Sequence, residues 1–154
     1  MIINFSKYQG AGNDFIIINM METEFELSTE QIAKLCDRRF GVGADGLMTI
    51  SKDPQSDFYM RYFNSDGYEG SMCGNGGRCI AKYAYTNKIC GVSTQFNAID
   101  GFHNALVNDE KVSLSMQNVL EIKKYEDGYF LNTGSPHFVK FVESTSEINV
   151  KDEG

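Results

Sequence analysis

The stretch Ser-Met-Cys-Gly-Asn-Gly-Gly-Arg-Cys at residues 71–79 decides the fold, because it turns the chain into a helix at a cysteine. Helix formers and apolar side chains follow at helical spacing, so a helix is predicted over residues 75–88. The first backbone N–H groups of such a helix are free, and they favour negative charge together with the helix dipole. The pattern therefore predicts that the thiol of Cys73 serves as a base or nucleophile.

The other cysteines carry weaker signals. Cys79 lies inside the predicted helix and is expected in the core, whereas Cys36 and Cys90 stand at helix ends and are expected to be structural. Burial as a small hydrophobe is the alternative for Cys73, but three glycines and an asparagine beside it leave little bulk to bury a sulfur. No pair has the C-x-x-C spacing of a zinc site, so we expect free thiols and no metal.

Composition limits the class of protein. A chain of 154 residues with 42% hydrophobic residues is sufficient for one domain with a core. The start of the chain lacks the pattern of a signal peptide, and no apolar run approaches the ~20 residues of a membrane span. A net charge of −7 argues against nucleic acid and anionic membranes as partners. We expect a soluble, cytoplasmic protein that binds a small molecule.

Short β-like runs separated by glycine or asparagine turns alternate with two helical segments, which predicts an α+β domain. The first helix is marked by a capping box at Ser28 and Gln31. The spacing is typical of antiparallel meanders rather than βαβ units, and the second helix is expected to pack into a curved, mostly antiparallel sheet. We predict a domain over residues 1–142 and a polar linker or tail over 143–154. Strands are predicted at residues 2–8, 15–19, 47–51, 58–63, 93–98, 101–108, 111–116, 129–133 and 137–142.

Five short motifs occur in a specific order. They are Lys-Tyr-Gln-Gly-Ala-Gly-Asn-Asp-Phe at 7–15, Arg-Phe-Gly-Val-Gly-Ala-Asp-Gly at 39–46, Phe-Asn-Ser-Asp-Gly at 63–67, Met-Cys-Gly-Asn-Gly-Gly-Arg-Cys at 72–79 and Asn-Thr-Gly-Ser-Pro-His at 132–137. Each alone is weak. Together, at this spacing, they resemble the diaminopimelate epimerase family over the whole chain, although the chain does not cover the whole family enzyme.

The resemblance implies a cofactor-free interconversion of LL- and meso-diaminopimelate, a step toward lysine and peptidoglycan precursors. Two cysteines on opposite faces of the α-carbon act as base and acid, because one base would have to change faces to invert the carbon. The family has two pseudo-symmetric α+β halves, each a curved sheet around a central helix, with one cysteine each. Cys73 matches the first. No Cys-Gly-Thr-Gly-like turn supplies the second, so we expect an amino-terminal half that is inactive alone.

Further roles follow from the same resemblance. Asn13 and Asn64 match the residues that bind the distal end of the substrate. Gly74 and Asn75 are expected to offer backbone N–H groups to the reacting carboxylate. Without the resemblance, Asn13 and Asn64 are equally well explained as turn formers, a role that is compatible with binding.

His137 matches the Pro-His pair that lies near the family's cysteines and adjusts their proton affinity, although a lone histidine is more often structural. The chain departs from the family pattern at two positions. Ser135 stands where many members have an asparagine, and Gly46 where some have a substrate-contacting glutamine. Both departures concern the expected contacts to the distal end of the substrate.

Several alternatives remain open at this point. One is a related isomerase of the proline-racemase or phenazine-biosynthesis type, and another is a phosphate-binding module, although the turn lacks the Gly-Lys-Ser/Thr ending of a P-loop. A third is a thiol sensor that uses Cys73 and Cys79. The expected partners are a diamino-dicarboxylate substrate and a carboxy-terminal half. Exposed apolar area on the cleft side would also favour a homodimer.

Overall fold

The computed structural model describes residues 2–23 and 25–153. The chain forms two compact units, one ending at Met116 and the other beginning at Gln117. The predicted boundary after residue 142 stays a prediction.

The first unit is a seven-stranded curled sheet with the strands in chain order, and two helices. This confirms the predicted α+β class, with a curved, mostly antiparallel sheet around a helix. The strands are β1 Ser6–Gly10, β2 Asn13–Asn19, β3 Gly46–Ser51, β4 Phe58–Asn64, β5 Ser93–Ala98, β6 Gly101–Val107 and β7 Val112–Leu114, and the helices are α1 Thr29–Cys36 and α2 Gly74–Thr86.

Two of the strand pairs are parallel, which the sequence did not predict. The pairs β2 with β3 and β4 with β5 run parallel, and the other four pairs of this sheet are antiparallel. Helices α1 and α2 are the crossovers, since parallel neighbours need a long connection between them. The prediction of meanders without βαβ units was therefore wrong at these two connections.

Each face of the sheet carries one helix. Ile80 and Ala84 of α2 pack against an inner cluster that includes Phe15, Met48 and Phe96. On the opposite face, α1 packs against a second cluster. Its members include Ile16, Ile18, Ile32, Cys36, Leu47 and Phe63. The predicted core position of Cys79 is confirmed at 5% exposure, and Cys36, expected to be structural, is 2% exposed.

Local signals explain where the helices begin. The Ser28 hydroxyl accepts from the Gln31 N–H and the Gln31 side chain accepts from the Ser28 N–H, which is the predicted capping box. Helix α2 begins at Gly74 because Cys73 has an extended backbone, with φ −97° and ψ 130°. It ends at Thr86, two residues before the predicted end, and Lys88 has a left-handed φ of 59°.

The second unit contains a three-stranded antiparallel sheet. Its strands are β8 Ile122–Lys124, β9 Tyr129–Asn132 and β10 Pro136–Val139. Strand β8 was not predicted, since its fully exposed pattern lacks apolar alternation. The segment predicted as a polar tail contains a 3₁₀ turn, Thr145–Glu147, and the short helix α3, Val150–Glu153. None of the helices in the described residues is long and apolar enough to cross a membrane.

Candidate active site

Cys73 is the N-cap residue of α2 and is half-buried. Its side chain makes no capping hydrogen bond, while its carbonyl accepts from the Gly77 N–H at 2.7 Å. The N–H groups of Gly74 and Asn75 belong to the first helical turn and have no intrahelical acceptor. The thiol therefore stands beside free N–H donors at the positive end of a helix dipole.

Two glycines allow the start of α2 to approach the sheet closely. A Cβ added to Gly76 would lie 3.0 Å from the Met48 sulfur, and one added to Gly77 would lie 2.8 Å from a methyl group of Leu114. Side chains at these positions would push the helix start away from β3 and β7. The glycine run therefore determines the position of Cys73 relative to the sheet.

The turn between β1 and β2 lies against the same helix start. A Cβ on Gly10 would lie 3.2 Å from the Cys79 sulfur and 3.4 Å from the Asn75 carbonyl oxygen. Asn13 opens β2 directly after this turn, and its side-chain Oδ1 is buried without a hydrogen-bond partner among the described residues. A buried amide oxygen without a partner is costly, so this atom is available to a ligand donor.

The end of β4 supplies Asn64. It is exposed and pairs with Gly46, which in turn pairs with Phe15 of β2. Because side chains alternate along a strand, Asn13 and Asn64 lie on the face of Phe15, which is the face that α2 covers. The turn after Asn64 closes at Gly67, whose φ of +89° favours glycine. The structure thus brings Asn13 and Asn64 to the sheet end where Cys73 lies.

Tyr62 was not among the predicted site residues. It is half-buried on the same face, and its ring meets Phe15 edge-on at 6.1 Å between centroids. Burial, followed by the charges of Cys73 and Asp45, raises its pKa to about 12. The alternation of β4 could have identified it, since Tyr62 precedes Asn64 by two residues.

The remaining cysteines do not share these features. Burial raises the pKa of Cys79 to about 11. It also raises the pKa values of Cys36 and Cys90. Cys73 is thus distinguished from them by its place at the helix start.

His137 lies in the second unit, exposed on β10. Its Nδ1 donates to the Ser135 carbonyl at 2.8 Å and lies 3.2 Å from the Thr133 hydroxyl. These contacts orient the ring within its own hairpin, and the predicted role of His137 stays a prediction.

Within residues 2–23 and 25–153, no group of three or more His, Cys, Asp or Glu residues is arranged to hold a metal ion. The polar groups described at this sheet end include the amides of Asn13 and Asn64, backbone N–H groups, a phenol and a thiol, and the Arg78 guanidinium hydrogen-bonds the Asn75 side chain at the start of α2. A thiol can transfer a proton, and amide and backbone N–H groups can bind a carboxylate.

Comparisons with solved structures identify the fold. A phenazine biosynthesis protein of the PhzF family from Bacillus anthracis superposes with a TM-score of 0.60 at 20% identity, over 81% of this chain and 44% of that one. A hydroxyproline epimerase from Agrobacterium vitis, with bound trans-4-hydroxy-L-proline, gives a TM-score of 0.58 at 12% identity, over 82% of this chain and 47% of that one.

Sequence comparisons are more specific. The family model for diaminopimelate epimerase matches residues 5–118. The diaminopimelate epimerase of Flavobacterium psychrophilum is 50% identical over 150 residues, and that of Chlorobaculum tepidum is 39% identical over 156 residues. These matches cover 96% and 94% of this chain but 59% and 60% of the relatives, so the chain spans about 60% of their length. This chain belongs to the diaminopimelate epimerase family.

Proposed function

We propose that this chain supplies one of two acid/base thiols, Cys73, to a cofactor-independent epimerase that interconverts LL- and meso-diaminopimelate. The observation that carries the proposal is the convergence of a half-buried helix-start thiol with Asn13 and Asn64 at one end of the sheet. Membership of the family favours this substrate over that of a proline-racemase-like or phenazine-type isomerase, whose likeness rests on fold alone.

In one direction the Cys73 thiolate removes the α-proton, and an acid on the opposite face delivers a proton to the carbon. In the reverse direction the Cys73 thiol is the donor and the opposite group is the base, so the two exchange protonation states in each turnover. The N–H groups of Gly74 and Asn75 bind the adjacent carboxylate, where negative charge develops as the proton leaves. Asn13 and Asn64 bind the distal amino-acid end.

The opposite group is a second thiol in the part of the family enzyme that this chain does not match. Cys36 and Cys79 are buried in clusters on opposite faces of the sheet, and neither stands before a glycine-rich turn like that after Cys73. We therefore expect the chain alone to be inactive. We also assign His137 the role of adjusting the proton affinity of the thiols.

The proposal also includes the domain bounds, the partners and the cellular location. Residues 1–142 form the amino-terminal epimerase domain, and 143–154 lead toward the carboxy-terminal half. The partners are the diamino-dicarboxylate, that half and a second copy in a homodimer, in the cytoplasm.

A thiol sensor formed by Cys73 and Cys79 is not favoured. Six residues of α-helix separate their Cα atoms by about 9 Å, beyond the roughly 7 Å that a disulfide spans. Oxidation to a disulfide would have to unwind the first turn of α2.

The test is a chimera in which this chain replaces the matching 150 residues of the Flavobacterium psychrophilum relative. Incorporation of deuterium at the α-carbon of LL-diaminopimelate in D₂O is followed by NMR. We expect exchange by the chimera and a loss of at least about a hundredfold in Cys73→Ser, typical of a lost acid/base group. The matched control is Cys90→Ser, which should exchange at the rate of the unmodified chimera. A folded chimera without exchange, or equal exchange in Cys73→Ser, contradicts the proposal.

A further inference from the structure

The ring of Tyr62 is held between two glycines. A Cβ added to Gly46 would lie 2.6 Å from the ring atom Cε2 and 3.0 Å from the hydroxyl oxygen. A Cβ added to Gly70 would lie 3.2 Å from Cδ1 and Cε1. The absence of side chains at 46 and 70 therefore creates the space that the phenol occupies.

The Tyr62 ring packs against the same buried cluster as Cys73. Tyr62 pairs with Met48 across β3 and β4, and the Met48 sulfur lies 3.0 Å from the position of a Cβ on Gly76. The Cβ of Cys73 lies 3.7 Å from that same position. A Cβ on Gly70 would also lie 2.9 Å from the amide nitrogen of Asn64. The ring thus lies next to Asn64 and in the cluster that surrounds the start of α2.

The hydroxyl is available as a donor. Among the described residues it has no hydrogen-bond partner, and it forms no hydrogen bond with the Cys73 sulfur. A tyrosine hydroxyl is an uncharged O–H group at neutral pH, and the raised pKa of Tyr62, about 12, moves it further from ionisation. Asp45, whose charge also acts on Tyr62, is paired with Arg38 at 2.7 Å. Tyr62 and Cys73 pack against the same buried cluster, and a neutral O–H donor there suits a carboxylate.

We propose that Tyr62 is a substrate-binding residue that donates its O–H to a ligand carboxylate in the space between Asn64 and the Cys73 thiol, with Gly46 and Gly70 making room for its ring. The assignment to an amino-acid carboxylate rests on the proposed function. The binding of a small anion beside the thiol does not, and it can be measured on the chain alone.

The experiment compares two alkylating agents of similar size, iodoacetate and iodoacetamide, which differ in a carboxylate. Their rates at Cys73 are measured by peptide mass spectrometry in the unmodified chain and in Tyr62→Phe, which keeps the ring and removes only the hydroxyl. We expect the ratio of the iodoacetate rate to the iodoacetamide rate to fall about tenfold in Tyr62→Phe, as for a lost hydrogen bond to a charged group. The iodoacetamide rate should stay within about twofold.

Tyr59→Phe is the matched control, since Tyr59 lies on the same strand and alternates to the opposite face. It should leave both rates unchanged. An unchanged ratio in Tyr62→Phe overturns the proposal. Parallel changes in both rates also overturn it, because they assign Tyr62 to thiol positioning. If the ratio falls tenfold in Tyr62→Phe but the chimera shows no exchange, the carboxylate site is supported and only the epimerase assignment is contradicted.

Discussion

Arg38 binds the carboxylate of Asp14 through two nitrogens, with Nη2 2.8 Å from Oδ1 and Nη1 3.2 Å from Oδ2. The same guanidinium reaches Asp45 at 2.7 Å, and Lys7 lies 2.8 Å from Asp14. This network joins the loop after α1 to the strand on which Asn13 lies. The network therefore holds in place the strand that carries Asn13, and with it one part of the candidate active site.

The ion pair between Arg38 and Asp14 should make the stability of the fold depend on pH in the acid range. Hydrogen bonding from Arg38, followed by that from Lys7, lowers the pKa of Asp14 well below its usual range. A lowered folded-state pKa stabilises the fold above the unfolded-state pKa, near 4, and this contribution is lost as pH falls through the folded-state value. We expect the melting temperature to fall below about pH 5, and less steeply in Asp14→Asn, which should also melt lower at pH 7.

Thermal unfolding from pH 2 to pH 7 at low salt checks this, since salt screens such exposed pairs. Asp109→Asn is the control, because the Asp109 side chain forms no ion pair within the described part of the chain. Parallel pH profiles for Asp14→Asn and the unmodified chain would contradict the expectation.

The four cysteines should react in a definite order. At pH 7.5 we expect iodoacetamide to label Cys73 first and Cys79 last. Burial raises the pKa of Cys79 to about 11, which cuts its thiolate fraction about a hundredfold relative to an ordinary thiol. Peptide mass spectrometry over time gives the order, and denaturant should equalise the four rates. Faster labelling of Cys79 than of Cys73 in the folded chain would show that the helix start is closed.

The β1–β2 turn carries strain that a substitution should relieve. Ala11 has a φ of 55° and Gly12 of 87°, the left-handed geometry of a two-residue hairpin turn, which disfavours a Cβ at position 11. Ala11→Gly and Ala11→Asn should stabilise the chain by about 1 kcal/mol and raise the melting temperature by roughly 2–4 °C. Calorimetry tests this, with Ala33→Gly inside α1 as the opposite control, expected to lose about 1 kcal/mol.

Gly46→Ala should be destabilising. Its Cβ would lie 2.6 Å from the Phe63 carbonyl oxygen, which is backbone and cannot turn aside. We expect a loss of about 1–3 kcal/mol in the free energy of unfolding by urea. Gly91→Ala is the matched control, because its nearest neighbour would be the Ser93 oxygen at 3.9 Å, and it should stay within about 0.5 kcal/mol. Equal midpoints for the two variants would mean that the sheet adjusts at position 46.

The sequence predicted those features whose causes lie within a few residues. The capping box at Ser28, the helix start at Cys73 and the turn after Asn64 are each encoded by neighbours in the chain, so they could be identified. The parallel pairing of β2 with β3 could not be identified, because it depends on how a helix of another segment packs. Strand β8 was missed because its three residues are exposed and lack alternation.

The amino-acid sequence by itself determined which chemical groups this chain can bring to a site: a cysteine before a glycine-rich helix start, and two asparagines next to turns. These signals are local, since caps, turns and alternation act over a few residues. Only the tertiary structure decided which groups share one space. Tyr62 and Cys73 pack against one cluster because the ring fills the volume left by Gly46, sixteen residues away, and α2 approaches the sheet at Gly76. That arrangement depends on packing between distant segments, which no local pattern encodes.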